Sequence, residues 1–271
     1  MHGIGNDYIF FNCLEGDFPK PKLNAIKLSD RNFGIGADGI VLIKSSPNYD
    51  FVMSMYNADG SQAEMCGNAI RCVGKYLYEK GITKKEEIKI DTLAGLMVLD
   101  LSVSDGLVKS VRVNMGKAEL VSTKIPVAVD TEQCISHPFE IDGFSGNMTC
   151  VSMGNPHAVF FVNEITDEHV LSIGPKIEVH PMFPNRVNIE FVKVISRNEL
   201  EMRVWERGSG ETLACGTGAA AVCVAASLNN LADKKVKINL LGGALELEWA
   251  EDGSVYKTGP AEFSYEGKVN I

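Results

Sequence analysis

The chain has 271 residues, 45% of them hydrophobic and 23% charged, so it can bury a substantial core as one large domain or two of ordinary size. Its formal net charge of -9 would repel nucleic acid and anionic membrane surfaces, so neither partner is expected. The longest apolar run, residues 218–228, is too short to span a bilayer, and no export signal is visible. Seven cysteines without a CxxC pair favour reduced thiols in a cytoplasmic protein over disulfides or a zinc site.

Hydrophobic periodicity predicts the secondary structure in chain order. Alternating and β-branched runs predict strands over residues 8–12, 39–44, 51–56, 87–91, 94–103 and 107–115. The glycine-rich run 34–39 is only a weak match to a phosphate-binding loop, because no strand directly precedes it and no helix follows. A long segment without proline predicts a helix over 67–80, and the later part of the chain predicts a strand over 187–195 and a helix over 216–228.

The two halves of the chain repeat one pattern. Gly-Asn-Asp-Tyr, from residue 5, matches Gly-Asn-Pro-His, from residue 154, and Cys66-Gly-Asn matches Cys215-Gly-Thr at the same separation of 149 positions. Two residues separated by this interval are called register partners below. The repeat predicts two copies of one domain, over residues 1–116 and 117–260, with residues 261–271 as a segment able to return to the first.

The helix of the second copy indicates the fold class. Residues 218–228 are apolar on every face, which in a soluble protein requires a helix enclosed on all sides. The strands of the same half must supply that enclosure. We therefore predict an α+β protein of two pseudo-symmetric domains, each a curved, mostly antiparallel sheet around a central helix, with the two domains meeting at a cleft.

One cysteine in each copy, Cys66 and Cys215, lies at the predicted start of the buried helix. Unpaired N–H groups and the helix dipole favour a thiolate there, and the glycine that follows each cysteine leaves the N–H groups open to a carboxylate. Free cysteine is more often a small buried hydrophobe, and we keep that interpretation for the other five: Cys13, Cys72, Cys134, Cys150 and Cys223. The equivalent positions of Cys66 and Cys215, between neighbours that differ, favour a functional role for this pair.

Two equivalent thiols suit the inversion of a stereocentre. That reaction needs a base on one face of a carbon and an acid on the other, with the roles exchanged in reverse. Neither a cofactor nor a metal is required. With each sulfur in reach of the carbon, the two sulfurs should lie about 6 to 7 Å apart around a bound ligand. The helix-start N–H groups would hold the charge that develops on the substrate carboxylate.

The long motif around each cysteine is specific. Asn-x-Asp-Gly-Ser-x4-Cys-Gly-Asn-Ala-x-Arg begins at Asn57, and Glu-Arg-Gly-Ser-Gly-Glu-Thr-x-Ala-Cys-Gly-Thr-Gly begins at Glu206. With the two Gly-Asn runs, the chain resembles the diaminopimelate epimerase family over nearly its whole length. The resemblance implies a cofactor-independent epimerase that interconverts LL- and meso-diaminopimelate in lysine and peptidoglycan biosynthesis.

The resemblance also implies the roles of single residues. Cys66 and Cys215 would be the proton donor and acceptor. The contacts to the reacting carboxylate would come from Gly67, Asn68, Gly216 and Thr217. The contacts to the distal amino-acid end would come from Asn6, Asn57, Asn155, Asn188, Glu206 and Arg207. His157 either tunes a thiol or is a satisfied histidine at a strand start.

Residue chemistry supports the distal contacts independently. Glu206 and Arg207 supply an acceptor for an ammonium and a fork for a carboxylate, although elsewhere such a pair would be an ordinary surface ion pair. Asn57 and Asn155 could equally be turn-forming asparagines. Asn188 lies in a predicted strand, where asparagine is disfavoured, which favours ligand contact.

Two features depart from the family pattern. Gly39, the register partner of Asn188, stands where some members carry glutamine, so a side-chain contact to the ligand is absent there. Members also have a short strand before the position of Met1, so the first sheet is expected to lack an edge strand.

Several alternatives remain open at this stage. A proline racemase would share the two cysteines but carries histidine where Asn68 stands, and it needs no distal clamp of the kind that Glu206 and Arg207 suggest. Other amino-acid racemases, a Cys-His hydrolase with His157 as base, and a catalytically silent amino-acid-binding protein also fit parts of the pattern. The expected partner is a small amino acid, and a monomer or a homodimer is expected.

Overall fold

The computed structural model describes residues 1–271, which divide into two compact units. Unit 1 consists of Met1–Asn114 and Thr258–Ile271, and unit 2 of Met115–Lys257. The chain therefore leaves unit 1 once and returns to it near the C-terminus.

Unit 1 contains two helices and nine strands. The helices are α1 (Pro21–Ser29) and α2 (Gly67–Glu79). The strands are β1 (His2–Gly3), β2 (Asn6–Asp7), β3 (Ile9–Asn12), β4 (Gly39–Ser45), β5 (Phe51–Asn57), β6 (Gln62–Ala63), β7 (Glu87–Thr92), β8 (Gly95–Ser104) and β9 (Leu107–Lys117). In the main sheet the order is β3-β4-β5-β7-β8-β9, with β6 beside β5, while β1 and β2 form a separate antiparallel pair.

The core of unit 1 follows from its apolar alternation. Ile40 and Leu42 of β4 project to one side and pack against Ala25 and Leu28 of α1. The sequence analysis did not predict α1, because it is short and its N-cap residue, Lys20, provides no side-chain cap. Burial of one face of α1 against β4 stabilises this helix instead.

Unit 2 has the same kind of architecture. Its strands are β10 (His137–Ile141), β11 (Phe144–Ser152), β12 (Pro156–Phe161), β13 (Asn188–Ser196), β14 (Glu199–Glu206), β15 (Gly210–Glu211), β16 (Lys235–Leu240), β17 (Gly243–Trp249) and β18 (Ser254–Gly259). A π-helical segment, Glu168–Ile173, runs into α3 (Gly174–Glu178), and α4 spans Gly216–Leu228. The sheet order is β10-β11-β12-β13-β14-β16-β17-β18, with β15 beside β14.

Most neighbouring strands of unit 2 are antiparallel. The parallel exceptions are β12 with β13 and β14 with β16. The helix α4 has nine consecutive buried residues, from Gly218 to Ala226, and it contacts β11, β12, β13, β16 and β17. The predicted α+β fold of curved, mostly antiparallel sheets around central helices is confirmed. None of the helices is both long and apolar enough to cross a membrane.

Candidate active site

The first thiol lies at the start of α2. Cys66 is the N-cap residue, with an extended backbone (φ -132°, ψ 118°), and its carbonyl accepts a hydrogen bond from the amide of Ile70 at 2.9 Å. Its side chain does not cap the helix. The partly exposed thiol instead donates from Sγ to Oδ1 of Asn6 at 3.3 Å. Unit 1 thus brings together the predicted thiol and one predicted ligand-binding asparagine.

The side chain of Asn6 is held by an acidic residue. Its Nδ2 donates to Oδ2 of Asp38 at 2.7 Å, and the main-chain amide of Asp7 donates to the same oxygen at 3.3 Å. Nη2 of Arg31 lies 3.0 Å from Oδ1 of Asp38 and 2.7 Å from Oδ1 of Asp7. The sequence analysis missed Asp38, which lies in the glycine-rich run 34–39; an aspartate in a turn was the only signal for it.

In unit 1 a tyrosine stands at the position that His157 holds in unit 2. Tyr8, the register partner of His157, is buried, and burial raises its pKa, with the charge of Cys66 adding to the effect. The ring packs on the backbone of Gly39. A Cβ added at Gly39 would lie 3.0 Å from Cε1 of Tyr8 and 2.2 Å from the carbonyl oxygen of Tyr56. Close packing therefore requires glycine at position 39.

A buried guanidinium lies beside the first turn of α2. Arg71 is fully shielded from solvent; its Nη1 donates to the carbonyl of Gly67 and to Oδ1 of Asn68, both at 3.0 Å, and Nε donates to the carbonyl of Pro260 at 3.1 Å. Nη2 has no hydrogen-bond partner, and burial lowers the pKa of Arg71. The positive charge lies beside Gly67 and Asn68, the residues expected to contact a carboxylate.

The second thiol lies at the equivalent place in unit 2. Cys215 is the N-cap residue of α4 (φ -109°, ψ 108°) and is only 3% exposed. The amide of Gly218 donates to Sγ at 3.4 Å, and Oγ1 of Thr217 lies 3.6 Å from the sulfur. Burial raises the pKa of Cys215 well above its usual value, and the charges of Glu206 and Glu190 raise it further, whereas Thr217 and Gly218 lower it.

A chain of polar side chains connects Thr217 to a buried ion pair. Nδ2 of Asn155 donates to Oγ1 of Thr217 at 3.3 Å, and Oδ1 of Asn155 lies 3.0 Å from Nε2 of His157. Nδ1 of His157 lies 2.7 Å from Oε1 of Glu190. Both ring nitrogens of His157 therefore face oxygen atoms. The structure places His157 two hydrogen bonds away from Thr217, the neighbour of the thiol.

Glu190 is the second functional candidate that the sequence analysis missed. A Cβ added at Gly218 would lie 2.6 Å from its Oε1 and 3.2 Å from Sγ of Cys215, so carboxyl group and thiol both lie against this glycine. Burial raises the pKa of Glu190, and His157 opposes the shift. Oε2 of Glu190 has no hydrogen-bond partner. An acidic residue inside the apolar strand β13 was the only sequence signal.

The remaining predicted ligand contacts of unit 2 lie around the turn that follows β14. The carboxylate of Glu206 accepts a hydrogen bond from the hydroxyl of Thr212. The exposed side chain of Arg207 donates from Nη1 to the carbonyl of Asn185 at 3.0 Å. Asn188 is buried and uses both ends of its amide: Nδ2 donates to the carbonyl of Pro156 at 2.8 Å, and Oδ1 accepts from the amide of Arg207 at 2.9 Å. Here Asn188 positions the Arg207 turn.

Asn57 also has a partner inside its own turn. Its Nδ2 donates to Oγ of Ser61 at 3.0 Å, and its main-chain amide donates to the carbonyl of Ser61 at 2.9 Å.

All seven cysteines are free thiols, and burial raises the pKa of Cys72 and Cys223 to about 12. No group of three or more His, Cys, Asp or Glu side chains is arranged to hold a metal ion.

Comparison with known sequences identifies the family. The sequence profile described as diaminopimelate epimerase matches residues 1–121 and 149–264. A protein of that name from Acetivibrio thermocellus is 55% identical over 272 aligned residues, covering 100% of this chain and 97% of the relative. The chain belongs to the diaminopimelate epimerase family. A relative of the same name from Methanococcus maripaludis is 47% identical, with 100% of this chain and 98% of the relative covered.

Membership of the diaminopimelate epimerase family makes the chain an enzyme of the isomerase class. The matched ranges contain both cysteines, together with Asn6, Asn155 and the segment from Glu206 to Thr217. The family and the enzyme class predicted from the sequence are therefore confirmed.

More distant solved structures share the fold. A phenazine biosynthesis protein of the PhzF family from Bacillus anthracis superposes with a TM-score of 0.69 at 13% identity, covering 100% of this chain and 95% of that one. A hydroxyproline epimerase from Agrobacterium vitis, solved with trans-4-hydroxy-L-proline bound, gives a TM-score of 0.63 at 16% identity, covering 98% and 89%. At these identities the likeness extends to the diaminopimelate epimerase fold alone.

Proposed function

We propose that the chain interconverts LL- and meso-diaminopimelate without a cofactor, with Cys66 and Cys215 as the acid and base. The observation that supports this proposal most directly is the repeated placement of these thiols at helix N-caps. Each begins the buried helix of its own unit, and the two are register partners. The curated relatives at 47–55% identity carry the name of this activity. The residue roles proposed here are those that the resemblance to the family implies, and the placement of the thiols at the helix starts supports them.

Proton transfer at the α-carbon needs one thiolate and one thiol. The thiolate removes the α-proton while the other thiol delivers a proton to the opposite face, and the roles exchange in the reverse direction. Each turnover leaves the pair with the same total number of protons but in the opposite arrangement. A second proton exchange must therefore restore the starting state.

The helix starts stabilise the intermediate. Removal of the α-proton places negative charge on the substrate carboxylate, and N–H groups at the helix starts, at Gly67, Asn68, Gly216 and Thr217, suit such a charge. The buried guanidinium of Arg71 adds positive charge beside the first helix start. We assign these four residues to the reacting carboxylate.

The distal amino-acid end of diaminopimelate carries one ammonium and one carboxylate. Glu206 is an acceptor for the first, and Arg207 is a bidentate donor for the second. We assign Asn6, Asn57 and Asn155 to the same recognition. Asn188 acts there through the Arg207 main chain, which it holds at 2.9 Å.

Incorporation of solvent deuterium tests the proposal. Purified protein in D2O should exchange the α-hydrogen of diaminopimelate, and C66A and C215A should each lose exchange at the inverted centre by about 10³-fold or more, the scale of lost acid–base catalysis. Cys13→Ser, which changes a partly exposed thiol of unit 1 outside the helix starts, is the matched control. Full activity in either alanine variant would reject the two-thiol scheme.

The exchange assay, together with burst kinetics and a binding measurement, distinguishes the alternatives. Exchange with proline but not with diaminopimelate would indicate a proline racemase. A burst of acyl-enzyme would indicate a Cys-His hydrolase, and tight binding without exchange would indicate a binding protein.

With diaminopimelate as substrate, we place the reaction in lysine and peptidoglycan biosynthesis in the cytoplasm. We further propose that the enzyme works as a monomer or a homodimer.

A further inference from the structure

A buried glutamate without a role in the proposed mechanism lies behind the turn that carries Arg207. Glu178 is the last residue of α3 and is only 6% exposed. Its Oε1 accepts hydrogen bonds from the main-chain amide of Gly208 at 3.0 Å and from Nη1 of Arg186 at 3.3 Å. Its Oε2 accepts from Nε1 of Trp205 at 2.8 Å. A carboxylate offers only acceptors, and all three partners are donors, so the group is satisfied where it lies.

The hydrogen bond from Gly208 fixes the conformation of this turn. The amide of Ser209 donates to the carbonyl of Glu206 at 3.1 Å, which closes a four-residue β-turn with Arg207 and Gly208 at its centre. Gly208 has a φ of 76° while Arg207 keeps a negative φ, the combination found in type II turns. Types I and II differ by a rotation of the peptide group between the two central residues. Because that peptide carries the N–H of Gly208, an oxygen that receives this N–H selects type II.

The same carboxylate oxygen also holds the segment on which the Arg207 side chain rests. Nη1 of Arg207 donates to the carbonyl of Asn185 at 3.0 Å. The next residue along the chain, Arg186, donates to Glu178 at 3.3 Å. Glu178 therefore connects the turn that carries the main chain of Arg207 to the segment whose carbonyl receives its guanidinium.

Unit 1 has no equivalent of this carboxylate. The register partner of Glu178 is Ser29, the last residue of α1, and its buried hydroxyl has no hydrogen-bond partner. The register partner of Arg207 is Ala58, which has no charged side chain to place. The carboxylate is thus present only in the unit whose turn carries an arginine.

We propose that Glu178 is a positioning residue that acts through the Gly208 amide to place Arg207 for the distal carboxylate of diaminopimelate. This inference rests on the proposed function, in which Arg207 binds that carboxylate. Glycine at position 208 allows both turn types, so the choice between them depends on the oxygen that receives its N–H. Glu178 thereby contributes to the selection of a substrate with a second amino-acid end.

Steady-state kinetics of three variants test the proposal. E178M keeps the length of the side chain but removes both acceptors, so KM for diaminopimelate should rise about tenfold, the equivalent of one hydrogen bond to a charged group, with kcat within about threefold of wild type. E178Q keeps one acceptor, which should face the two donors of Gly208 and Arg186, so its KM should stay within about threefold of wild type. E168M changes an exposed glutamate of the adjoining π-helical segment and should match wild type.

Stability separates positioning from a general structural role. Both E178M and E178Q leave the indole N–H of Trp205 without an acceptor, so both should unfold at a lower Tm than wild type. KM should rise in E178M alone. Equal rises of KM in the two variants would mean that KM follows stability or charge, which rejects the proposal.

A double variant tests whether the effect passes through Arg207. If Glu178 acts by placing this guanidinium, adding E178M to R207M should lower kcat/KM by less than about twofold. A further loss of about tenfold in the double variant would show that Glu178 acts elsewhere and would overturn the assigned role.

Hydrogen exchange gives a readout that needs no substrate. In protein labelled at glycine, NMR follows exchange of the Gly208 amide, which should be about tenfold faster in E178M than in wild type and little changed in E178Q. Unchanged exchange in E178M would contradict the claim that Glu178 holds the turn.

Two further outcomes are also decisive. If E178M does not fold, E178D replaces it and should give the same changes, because a carboxylate one methylene shorter cannot reach the Gly208 amide at hydrogen-bond distance. Absence of epimerisation by wild type would refute the proposed function, and with it the ligand assigned to Arg207. The exchange result would then still show whether Glu178 holds the turn.

Discussion

Oε1 of Glu190 lies 2.7 Å from Nδ1 of His157, and both side chains are completely shielded from solvent. The two residues come from parallel neighbouring strands, in which His157 pairs with Asn188 and Val159 pairs with Glu190. The carboxyl group ends beside Gly218, at the first turn of the helix that Cys215 begins. The second thiol thus lies near a buried acid–imidazole pair for which the first unit has no counterpart, since the register partner of Glu190 is Val41.

Removal of His157 should destabilise the fold in a pH-dependent way. H157A leaves the carboxyl of Glu190 buried without its partner, and breaking such a pair costs about 3–5 kcal/mol. Burial already raises the pKa of Glu190, and the loss of His157 raises it further. A raised pKa in the folded state gives stability that is present below the unfolded value, about 4.3, and is lost as pH rises through the folded value.

Urea unfolding at pH 5 and pH 7.5 measures this effect. The free energy of unfolding of H157A, relative to wild type, should be lower at pH 7.5 than at pH 5. A double variant with leucine at both positions should recover much of the loss, because the buried charge is then absent. The partly exposed His137 provides the control, H137A. Equal losses at the two pH values would contradict this account.

The reactivity of Cys215 should increase steeply with pH. Its raised pKa, caused first by burial and then by the charges of Glu206 and Glu190, keeps the thiol protonated at neutral pH. The rate of alkylation by iodoacetamide should therefore rise about tenfold per unit from pH 7 to pH 9 without levelling. In denatured protein the alkylation rate of the same cysteine should level off above its ordinary pKa, about 8.5.

Thr217 gives a second test of the same site. Its hydroxyl lowers the pKa of Cys215, so T217V should slow alkylation of Cys215 at pH 8 while leaving that of Cys13 unchanged. Faster alkylation of Cys215 in T217V would show that the hydroxyl does not stabilise the thiolate.

Replacement of Gly39 by alanine should destabilise unit 1. The added Cβ would lie 2.2 Å from the carbonyl oxygen of Tyr56, so β4 or β5 must shift, and overpacking of this kind costs about 1–3 kcal/mol or more. The matched control is G16A, at an exposed glycine where an added Cβ has no heavy atom within 4 Å. Thermal unfolding should show a clear decrease in Tm for G39A alone; equal values would mean that the strands adjust without cost.

Asn188 should affect substrate affinity more than turnover. N188A removes hydrogen bonds to the carbonyl of Pro156 at 2.8 Å and to the amide of Arg207 at 2.9 Å, which releases the turn that carries Arg207. A buried group left unpaired costs about 1–3 kcal/mol. We expect KM for diaminopimelate to rise about tenfold or more, with a smaller change in kcat.

The control for this variant is N147A, which removes an exposed asparagine of the same unit. In steady-state kinetics, the kcat and KM of N147A should stay close to those of wild type. If N188A lowers kcat and leaves KM unchanged, the amide acts in the chemical step and the assigned role is wrong.

Local sequence patterns predicted the main strands and both central helices. The apolar run of α4 allows only an enclosed helix, and its predicted bounds, 216–228, agree with the structure. The short α1 was missed, because burial of Ala25 and Leu28 against β4 stabilises it rather than any local cap. The segment at 168–178 was missed as well, since it is a π-helical turn running into a five-residue helix.

The residues of the candidate site were likewise predicted only in part. Glycine after a cysteine, followed by a long segment that favours helix, is a local signal, and it located Cys66 and Cys215 at helix starts. Asp38 and Glu190 had no such signal. Each contacts its partner, Asn6 or His157, across more than thirty residues of chain, and only the pairing of strands brings them together.

By itself, the sequence determined the repeated architecture, the two thiols and the family to which the chain belongs. These features depend on periodicity and on short motifs, which act within a few residues of one another. Only the tertiary structure decided which way the asparagine beside each thiol turns and which charges are buried near it. Those depend on hydrogen-bond direction and on desolvation, and both are set by residues that are distant in sequence and adjacent in space.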